Sequence, residues 1–202
     1  MKLKNCIPVL TIAIVACGGG EPSETPQSTS TPATGAPATS SPAGGLPAPP
    51  TGAMTMPEWY TVDHDAQTVH LTLIAGETNT NNYWNYNGAT KGDLAINVPE
   101  GYSITIDQVN HDPNMAHSIG ILALPSNFAM PPQPNPVFEG ALSENPTSMV
   151  EATQPGETET IQFTADESGT YGLVCLIPGH AAVGMWLYFI VSDDGEAGVQ
   201  AR

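Results

Sequence analysis

Three residues with metal-binding side chains lie at intervals of five residues in the segment YGLVCLIPGHAAVGMW (residues 171–186): Cys175, His180 and Met185. Thiolate, imidazole and thioether are soft ligands that together favour copper. A trigonal set of two histidines and one cysteine, with a weak axial methionine, is the blue-copper arrangement. The spacing therefore predicts a copper site that takes its second histidine from another part of the chain.

The second histidine is predicted to be His117. It begins the alternating segment HSIGILAL, so it lies at the end of a predicted strand, where a site built from loops would meet it. His111, in the turn-rich segment NHDPNM, is the alternative. His64 and His70 lie beside and within the first predicted core strand, and we interpret them as surface or structural histidines.

Short segments of alternating polarity must position these residues. The segments are TVHLTLIAG, DLAINVPEG, YSITIDQVN, HSIGILAL, TETIQFTADESG, TYGLVCL and GMWLYFIVSDDG. Alternation of β-branched and aromatic residues with polar ones indicates strands, and roughly seven or eight of them predict an antiparallel sandwich or barrel. Cys175 ends one strand, the turn IPGH brings His180 back towards it, and Met185 begins the next strand.

The segment VCLIPGHAAVGMW resembles the copper-binding signature of the sulfocyanins and, more broadly, of rusticyanin-like cupredoxins. The upstream segment WNYNGATKGDLAINVPEGYSITI is also similar, so that the resemblance covers residues 83–191. It implies an all-β, cupredoxin-like Greek-key sandwich with one type 1 copper, and an electron carrier rather than an enzyme. The ligands that it implies are His117, Cys175, His180 and Met185.

Ser118 follows His117 where sulfocyanins tend to have Asn and rusticyanin-like sequences have Ser. We expect its side chain to orient the ligand loops from just outside the ligand set. Two other interpretations of the Cys175 segment remain open. The residues could pack as core, since free Cys and Met are often buried, or Cys175 and His180 could be the nucleophile and base of a thiol hydrolase.

The surroundings of His180 predict how electrons would leave the site. The apolar residues of its loop are expected to exclude water and to form a flat docking patch for a redox partner. An electron would leave through the imidazole at this patch. The apolar residues are Pro178, Ala181, Ala182 and Val183. We interpret Trp59 and Trp84 more simply, as core or surface aromatics.

The N-terminus predicts export. Residues 1–16 combine lysines, a short apolar run and small residues before Cys17, which is the layout of a signal peptide. The sequence IVAC resembles the lipobox of bacterial lipoproteins, which implies cleavage before Cys17 and lipidation of its sulfur. Cys175 is then the remaining thiol, and an internal disulfide is excluded. We expect a lipid-anchored protein that faces the periplasm or the cell exterior.

Composition divides the rest of the chain. Residues 17–57 are rich in Pro, Ser, Thr and Ala, which predicts a disordered tether. Residues 58–192 form the predicted cupredoxin domain, in which the proline-rich stretch PSNFAMPPQPNPVFEGALSENPTSM is expected to be a long loop. Residues 193–202 are predicted to be a flexible tail.

Charge limits the partners. The chain has 20 acidic and 4 basic side chains, a formal net charge of −16, which excludes nucleic acid as a partner. The acidity could serve a basic partner or only solubility. The favoured function is a monomeric electron carrier between redox proteins of a respiratory chain, such as a cytochrome or terminal oxidase. The alternative is a copper-binding module for copper delivery or tolerance.

Overall fold

Residues 45–202 are described by a computed structural model, in which the strands of this part of the chain form two β-sheets. The strands are β1 (Tyr60–Asp63), β2 (Thr68–Ala75), β3 (Leu94–Pro99), β4 (Ser103–Asn110), β5 (Gly120–Ala123), β6 (Thr158–Thr164), β7 (Gly169–Val174), β8 (Trp186–Ser192) and β9 (Gly198–Ala201). A single helical turn, Thr80–Tyr83, lies between β2 and β3. Only β1 and β9 fall outside the segments that alternation predicts.

The strand order is β1-β2-β4-β6 in one sheet and β5-β7-β8-β3-β9 in the other. The predicted all-β sandwich is confirmed. Its strands are not all antiparallel, however, because β2 pairs in parallel with β4 and β3 in parallel with β8. The chain crosses to the opposite sheet at β3 before it returns at β4, and such a crossover allows neighbouring strands to run in the same direction.

The main core lies between the two sheets and is lined by alternate residues of each strand. In β4, Ile104 and Ile106 are fully buried, whereas Thr105 between them is only half-buried. Phe189 of β8 faces them from the other sheet and belongs to the same buried cluster. Cys175 and Met185 are members of this cluster as well, so the candidate ligands are continuous with the core.

A second apolar cluster covers the outer face of the five-stranded sheet. Trp186 and Tyr188 alternate along β8 with residues of the main core and therefore face the opposite side. Phe128, from the long connection between β5 and β6, packs against Trp186 with ring centroids 5.3 Å apart. Leu46 packs against the same cluster, and the Tyr188 hydroxyl donates to the carbonyl of Pro47.

These contacts correct the predicted boundary between tether and domain at residue 57. Residues 45–57 belong to the folded unit. Thr55 pairs with Val199 through two backbone hydrogen bonds of 2.9 and 2.8 Å, and the Leu46 amide donates to the Ser126 carbonyl at 3.1 Å. The segment is ordered because it covers apolar surface on the outer face of the sheet, which its own composition does not reveal.

The predicted flexible tail over residues 193–202 is also wrong in its last part. Residues Gly198–Ala201 form β9, an edge strand that pairs antiparallel with β3. Val199 is only 3% exposed, and the Arg202 side chain lies 3.4 Å from the carboxylate of Asp93. A short strand with one large apolar side chain gives little local signal, because its pairing partner lies far away in the sequence.

The predicted signal peptide, Cys17 and most of the predicted tether lie in residues 1–44, outside the described residues. In the described part of the chain, residues 45–202, no helix has the length and hydrophobicity that crossing a membrane requires.

Candidate metal centre

The loops at one end of the sandwich bring Cys175, His180 and His117 together. Cys175 directly follows β7, and His180 lies in the connection from β7 to β8. His117 precedes β5 and is held by a backbone bridge to Thr153. Backbone hydrogen bonds close the connection: the Met185 amide donates to the His180 carbonyl at 2.9 Å, and the Cys175 amide to the Met185 carbonyl at 3.1 Å.

The three ligating atoms form a compact triangle. Nδ1 of His117 and Nδ1 of His180 are 3.2 Å apart, and Sγ of Cys175 lies 3.9 Å from the former and 3.5 Å from the latter. All three residues are fully buried. A point about 2.1 Å from each corner exists in the plane of this triangle, close to the roughly 2.0–2.3 Å at which imidazole nitrogen and thiolate sulfur bind a metal ion. The residues therefore fit a metal with soft, trigonal preferences, which is copper in the blue-copper arrangement.

Met185 ends the loop that carries His180 and immediately precedes β8. Its side chain is fully buried and belongs to the same apolar cluster as Cys175. Its backbone bonds both to His180 and to Cys175, as described above, so the loop is fixed at each end of the ligand segment. The chain thus offers a buried thioether in the same loop as the imidazole of His180, which is the fourth donor type of a blue-copper site.

A buried carboxylate holds the ring of His117. The imidazole Nε2 donates to Oδ2 of Asp112 at 2.9 Å, and the two side chains are 0% and 2% exposed. The other oxygen, Oδ1, accepts the backbone amides of Asn114 and Met115 at 2.8 and 3.2 Å. With its proton on Nε2, His117 presents the lone pair of Nδ1 to the triangle. Sequence reasoning missed Asp112, for which the only signal is an Asp-Pro turn five residues before a histidine.

Ser118 connects the loop of His117 to that of Cys175. Its Oγ accepts the Leu176 amide at 3.0 Å and lies 3.8 Å from the sulfur of Cys175. The buried Tyr86 hydroxyl donates to the Ser118 carbonyl at 2.5 Å. Ser118 is thus in contact with both loops.

Burial sets the protonation states of the site. It lowers the pKa of His180 to about 3, with the neighbouring imidazole of His117 as a further cause. Burial also lowers the pKa of His117, although the Asp112 carboxylate opposes the shift. Both rings are therefore neutral near pH 7 and can bind a metal. Burial raises the pKa of the Cys175 thiol, against hydrogen bonds from Ser118 and Ile177, so a bound cation is needed to keep the sulfur ionised.

The ring of His180 is covered by the indole of Trp84. The two rings stack with centroids 3.9 Å apart and an interplanar angle of 18°. His180 is fully buried, and its Nε2 has no hydrogen-bond partner among the described residues. The sequence-based interpretation of Trp84 as an ordinary aromatic missed this contact. Pro178 and Val183, which the sequence places in a docking patch, are exposed, whereas the imidazole of His180, the expected exit for electrons, is fully buried.

The remaining histidines lie away from the site. His111, the alternative ligand, has a side chain that is 54% exposed and faces Glu77 at 3.7 Å. His64 contacts the hydroxyl of Tyr102 at 3.0 Å, and the exposed ring of His70 bonds to Asp107 at 2.8 Å. None of these three contributes to the group of metal-binding side chains found in residues 45–202.

Comparison with known proteins gives concordant matches. A family model described as the sulfocyanin (SoxE) domain matches residues 58–198. The chain is similar to sulfocyanin from Sulfolobus acidocaldarius, with 26% identity over 133 residues that cover 63% of this chain and 65% of that protein. It is also similar to rusticyanin from Acidithiobacillus ferrooxidans, with 28% identity over 132 residues that cover 65% and 81% of the two chains. The match thus spans slightly less than two thirds of the sulfocyanin's length.

Among solved structures, dithionite-reduced auracyanin from the photosynthetic bacterium Roseiflexus castenholzii aligns with 60% of this chain and 94% of its own, at 26% identity and a TM-score of 0.42.

Proposed function

This chain belongs to the sulfocyanin domain family, and we propose that it carries single electrons between redox proteins through one type 1 copper. The observation that carries the proposal is the buried triangle of two imidazole nitrogens and one thiolate sulfur. The residues that would hold the copper are His117, Cys175, His180 and Met185. When bound, copper supplies the one-electron couple between Cu(II) and Cu(I).

The residues of the site favour a carrier because they are held rigidly. Asp112 fixes the ring of His117, and Ser118 ties the loop of His117 to the loop of Cys175. Side chains that keep one geometry in both oxidation states minimise the rearrangement that electron transfer requires. The apolar core that continues from Cys175 and Met185 excludes water from one side of the site.

Copper delivery is the less favoured function. Handing copper to another protein requires ligands that the recipient can reach, whereas the side chains of all four proposed ligands are fully buried. The methionines with large exposed fractions, Met130 at 78%, Met149 at 55% and Met56 at 53%, lie in other parts of the chain and do not belong to the ligand set. A closed site suits exchange of an electron better than exchange of the metal.

The proposal extends to the location of the protein. The segment IVAC supports export, with lipid on Cys17 and with the Pro- and Ser-rich residues up to about 44 as the tether to a membrane. Partners are then redox proteins at that membrane, such as a cytochrome or terminal oxidase of a respiratory chain. Replacement Cys17→Ala should move the protein from the membrane fraction to the soluble fraction. The control Cys6→Ala, within the predicted signal peptide, should leave it in the membrane.

A titration of the purified protein with Cu(II) tests the copper site. We expect an intense blue or green colour and a narrow copper hyperfine splitting in electron paramagnetic resonance, both reversed by ascorbate and both lost in Cys175→Ser. A pale spectrum of ordinary Cu(II), or a spectrum that does not depend on Cys175, would contradict the carrier function.

A further inference from the structure

We propose that Trp84 is the residue through which electrons enter and leave the copper site, a role that rests on the proposed electron-transfer function. Trp84 does not touch the metal position; it acts through the ring of His180, on which it stacks. The proposal assigns to the indole the contact with a redox partner that an exposed histidine edge would otherwise make.

The stacked pair has one buried and one accessible member. His180 is fully buried, and its Nε2 is buried without a hydrogen-bond partner in residues 45–202. Trp84 is half-buried, so it is the member of the pair that reaches solvent. Ring centroids 3.9 Å apart, nearly parallel, place the two π-systems in direct contact. A partner can therefore contact the indole directly, whereas it cannot contact the buried imidazole.

The backbone immediately before Trp84 is strained. Three consecutive non-glycine residues, Asn81, Asn82 and Tyr83, have φ values of 53°, 60° and 67°. Such left-handed residues cost about 1–3 kcal/mol each and persist where the surroundings over-determine them, often at functional sites. Ordinary core packing of an aromatic side chain does not require this backbone.

Side-chain hydrogen bonds hold the strained turn. The Asn81 amide donates to the Trp84 carbonyl at 2.9 Å. The buried Asn85 amide donates to the carbonyls of Thr78 and Thr80 at 2.8 and 2.9 Å. The segment from 78 to 90 contains no charged side chain, in a chain whose net charge is −16. The segment that carries Trp84 therefore adds no like-charge repulsion to the approach of a partner.

The proposed step is the transfer of one electron and nothing else. In one direction a reduced one-electron redox protein or metal complex gives its electron to the oxidised site, and in the other direction an oxidised partner takes it. No bond forms or breaks, no proton moves, and Trp84 begins and ends each transfer as neutral indole.

Two substitutions of Trp84 test whether its indole takes part in electron transfer or only shields His180 from water. Trp84→Phe keeps an aromatic ring over His180, whereas Trp84→Leu keeps an apolar cover but removes the π-system. Trp59→Phe, which changes a partly buried indole packed on the main core, is the control. The copper-loaded proteins are reduced by hexaammineruthenium(II) in a stopped-flow instrument at fixed ionic strength, and bleaching of the blue band gives the second-order rate constant.

We expect the rate constants of Trp84→Phe and Trp59→Phe to stay near that of the parent protein. For Trp84→Leu we expect a decrease of about tenfold, equal to about 1.4 kcal/mol in activation free energy, with the visible spectrum and reduction potential retained. An unchanged or increased rate for Trp84→Leu overturns the proposal, because a passive cover can be replaced by any apolar side chain.

Nuclear magnetic resonance of the copper-free proteins tests the stack without electron transfer. The ring protons of His180 should shift downfield in Trp84→Leu, because the ring current of the indole is lost, and should not shift in Trp59→Phe. Unchanged shifts in Trp84→Leu overturn the stacking on which the proposal depends. Absence of the blue-copper spectrum in the parent protein would instead refute the proposed function, so the two failures are distinguishable.

Discussion

The imidazole of His117 and the carboxylate of Asp112 form a buried pair, with Nε2 and Oδ2 2.9 Å apart and the side chains 0% and 2% exposed. The carboxylate is fully satisfied, since its other oxygen accepts two backbone amides. Gly76 makes room for the backbone of Asp112. Its φ is +74°, and a Cβ there would lie 2.6 Å from the Asp112 amide nitrogen. The fold thus places a negative charge next to a proposed copper ligand and away from water.

Replacement of this carboxylate, Asp112→Asn, should raise the reduction potential of the copper site. Asn keeps an oxygen for the His117 bond but removes the charge, and a buried negative charge stabilises Cu(II) relative to Cu(I). We expect an increase of roughly 60–120 mV, a ten- to hundredfold change in a one-electron equilibrium. Spectroelectrochemistry measures it.

The matched control is Asp107→Asn, because Asp107 also bonds to a histidine, His70, at 2.8 Å but on the exposed surface. Its potential should stay close to that of the parent protein, since water and salt screen exposed charges. Equal shifts in the two variants would mean that the buried position of Asp112 has no special effect.

A pair of histidine replacements tests the choice between the two candidate ligands. His117→Ala should abolish the blue-copper spectrum, because one corner of the ligand triangle is lost. His111→Ala should keep the spectrum, because His111 is exposed and faces Glu77. Visible absorption of the copper-loaded variants is sufficient. A spectrum that disappears in His111→Ala but survives in His117→Ala would reverse the ligand assignment.

The parts of this molecule that sequence predicts are those encoded locally. Strand β4 is recognisable because Ile104 and Ile106 alternate with polar residues over a single short segment. Cys175, His180 and Met185 are recognisable because one loop carries all three. The position of His117 follows from the same logic, since it precedes an alternating strand.

What sequence does not predict depends on contacts between distant segments. Trp84 and His180 are stacked although nothing near Trp84 in the sequence indicates a partner. Strand β9 and residues 45–57 look like a tail and a tether, but Val199 and Thr55 pair with each other and complete the sheet edge. Composition describes a segment alone, whereas its order here comes from apolar surface that other segments leave uncovered.

Residues 45–57 should therefore contribute measurably to stability. A chain that begins at residue 58 loses the two backbone bonds between Thr55 and Val199 and the bonds made by Leu46 and Pro47. At about 0.5–1.5 kcal/mol for each bond, the free energy of unfolding should fall by at least about 2 kcal/mol relative to a chain that begins at residue 45. Urea denaturation of the two copper-free chains measures the difference, and equal midpoints would show that the segment does not stabilise the fold.

The copper-free protein should lose stability as the pH falls from about 6.5 towards 3. An imidazole in an unfolded chain takes up a proton near pH 6.5, whereas burial lowers the pKa of His180 in the folded state to about 3. Between these values the unfolded state binds more protons, so acidification favours unfolding, and the effect of this group ends below about pH 3. Burial of His117 acts in the same direction.

Thermal unfolding at a series of pH values tests this dependence. His180→Gln removes the titrating ring and should flatten the decline between pH 6.5 and 3, while His70→Gln, at an exposed ring, should leave the decline as it is. Bound copper should delay the loss to lower pH, because it competes with protons for the same imidazole nitrogens. If the melting temperature of His180→Gln falls with pH as much as that of the parent protein, the buried imidazole does not cause the acid sensitivity of the copper-free fold.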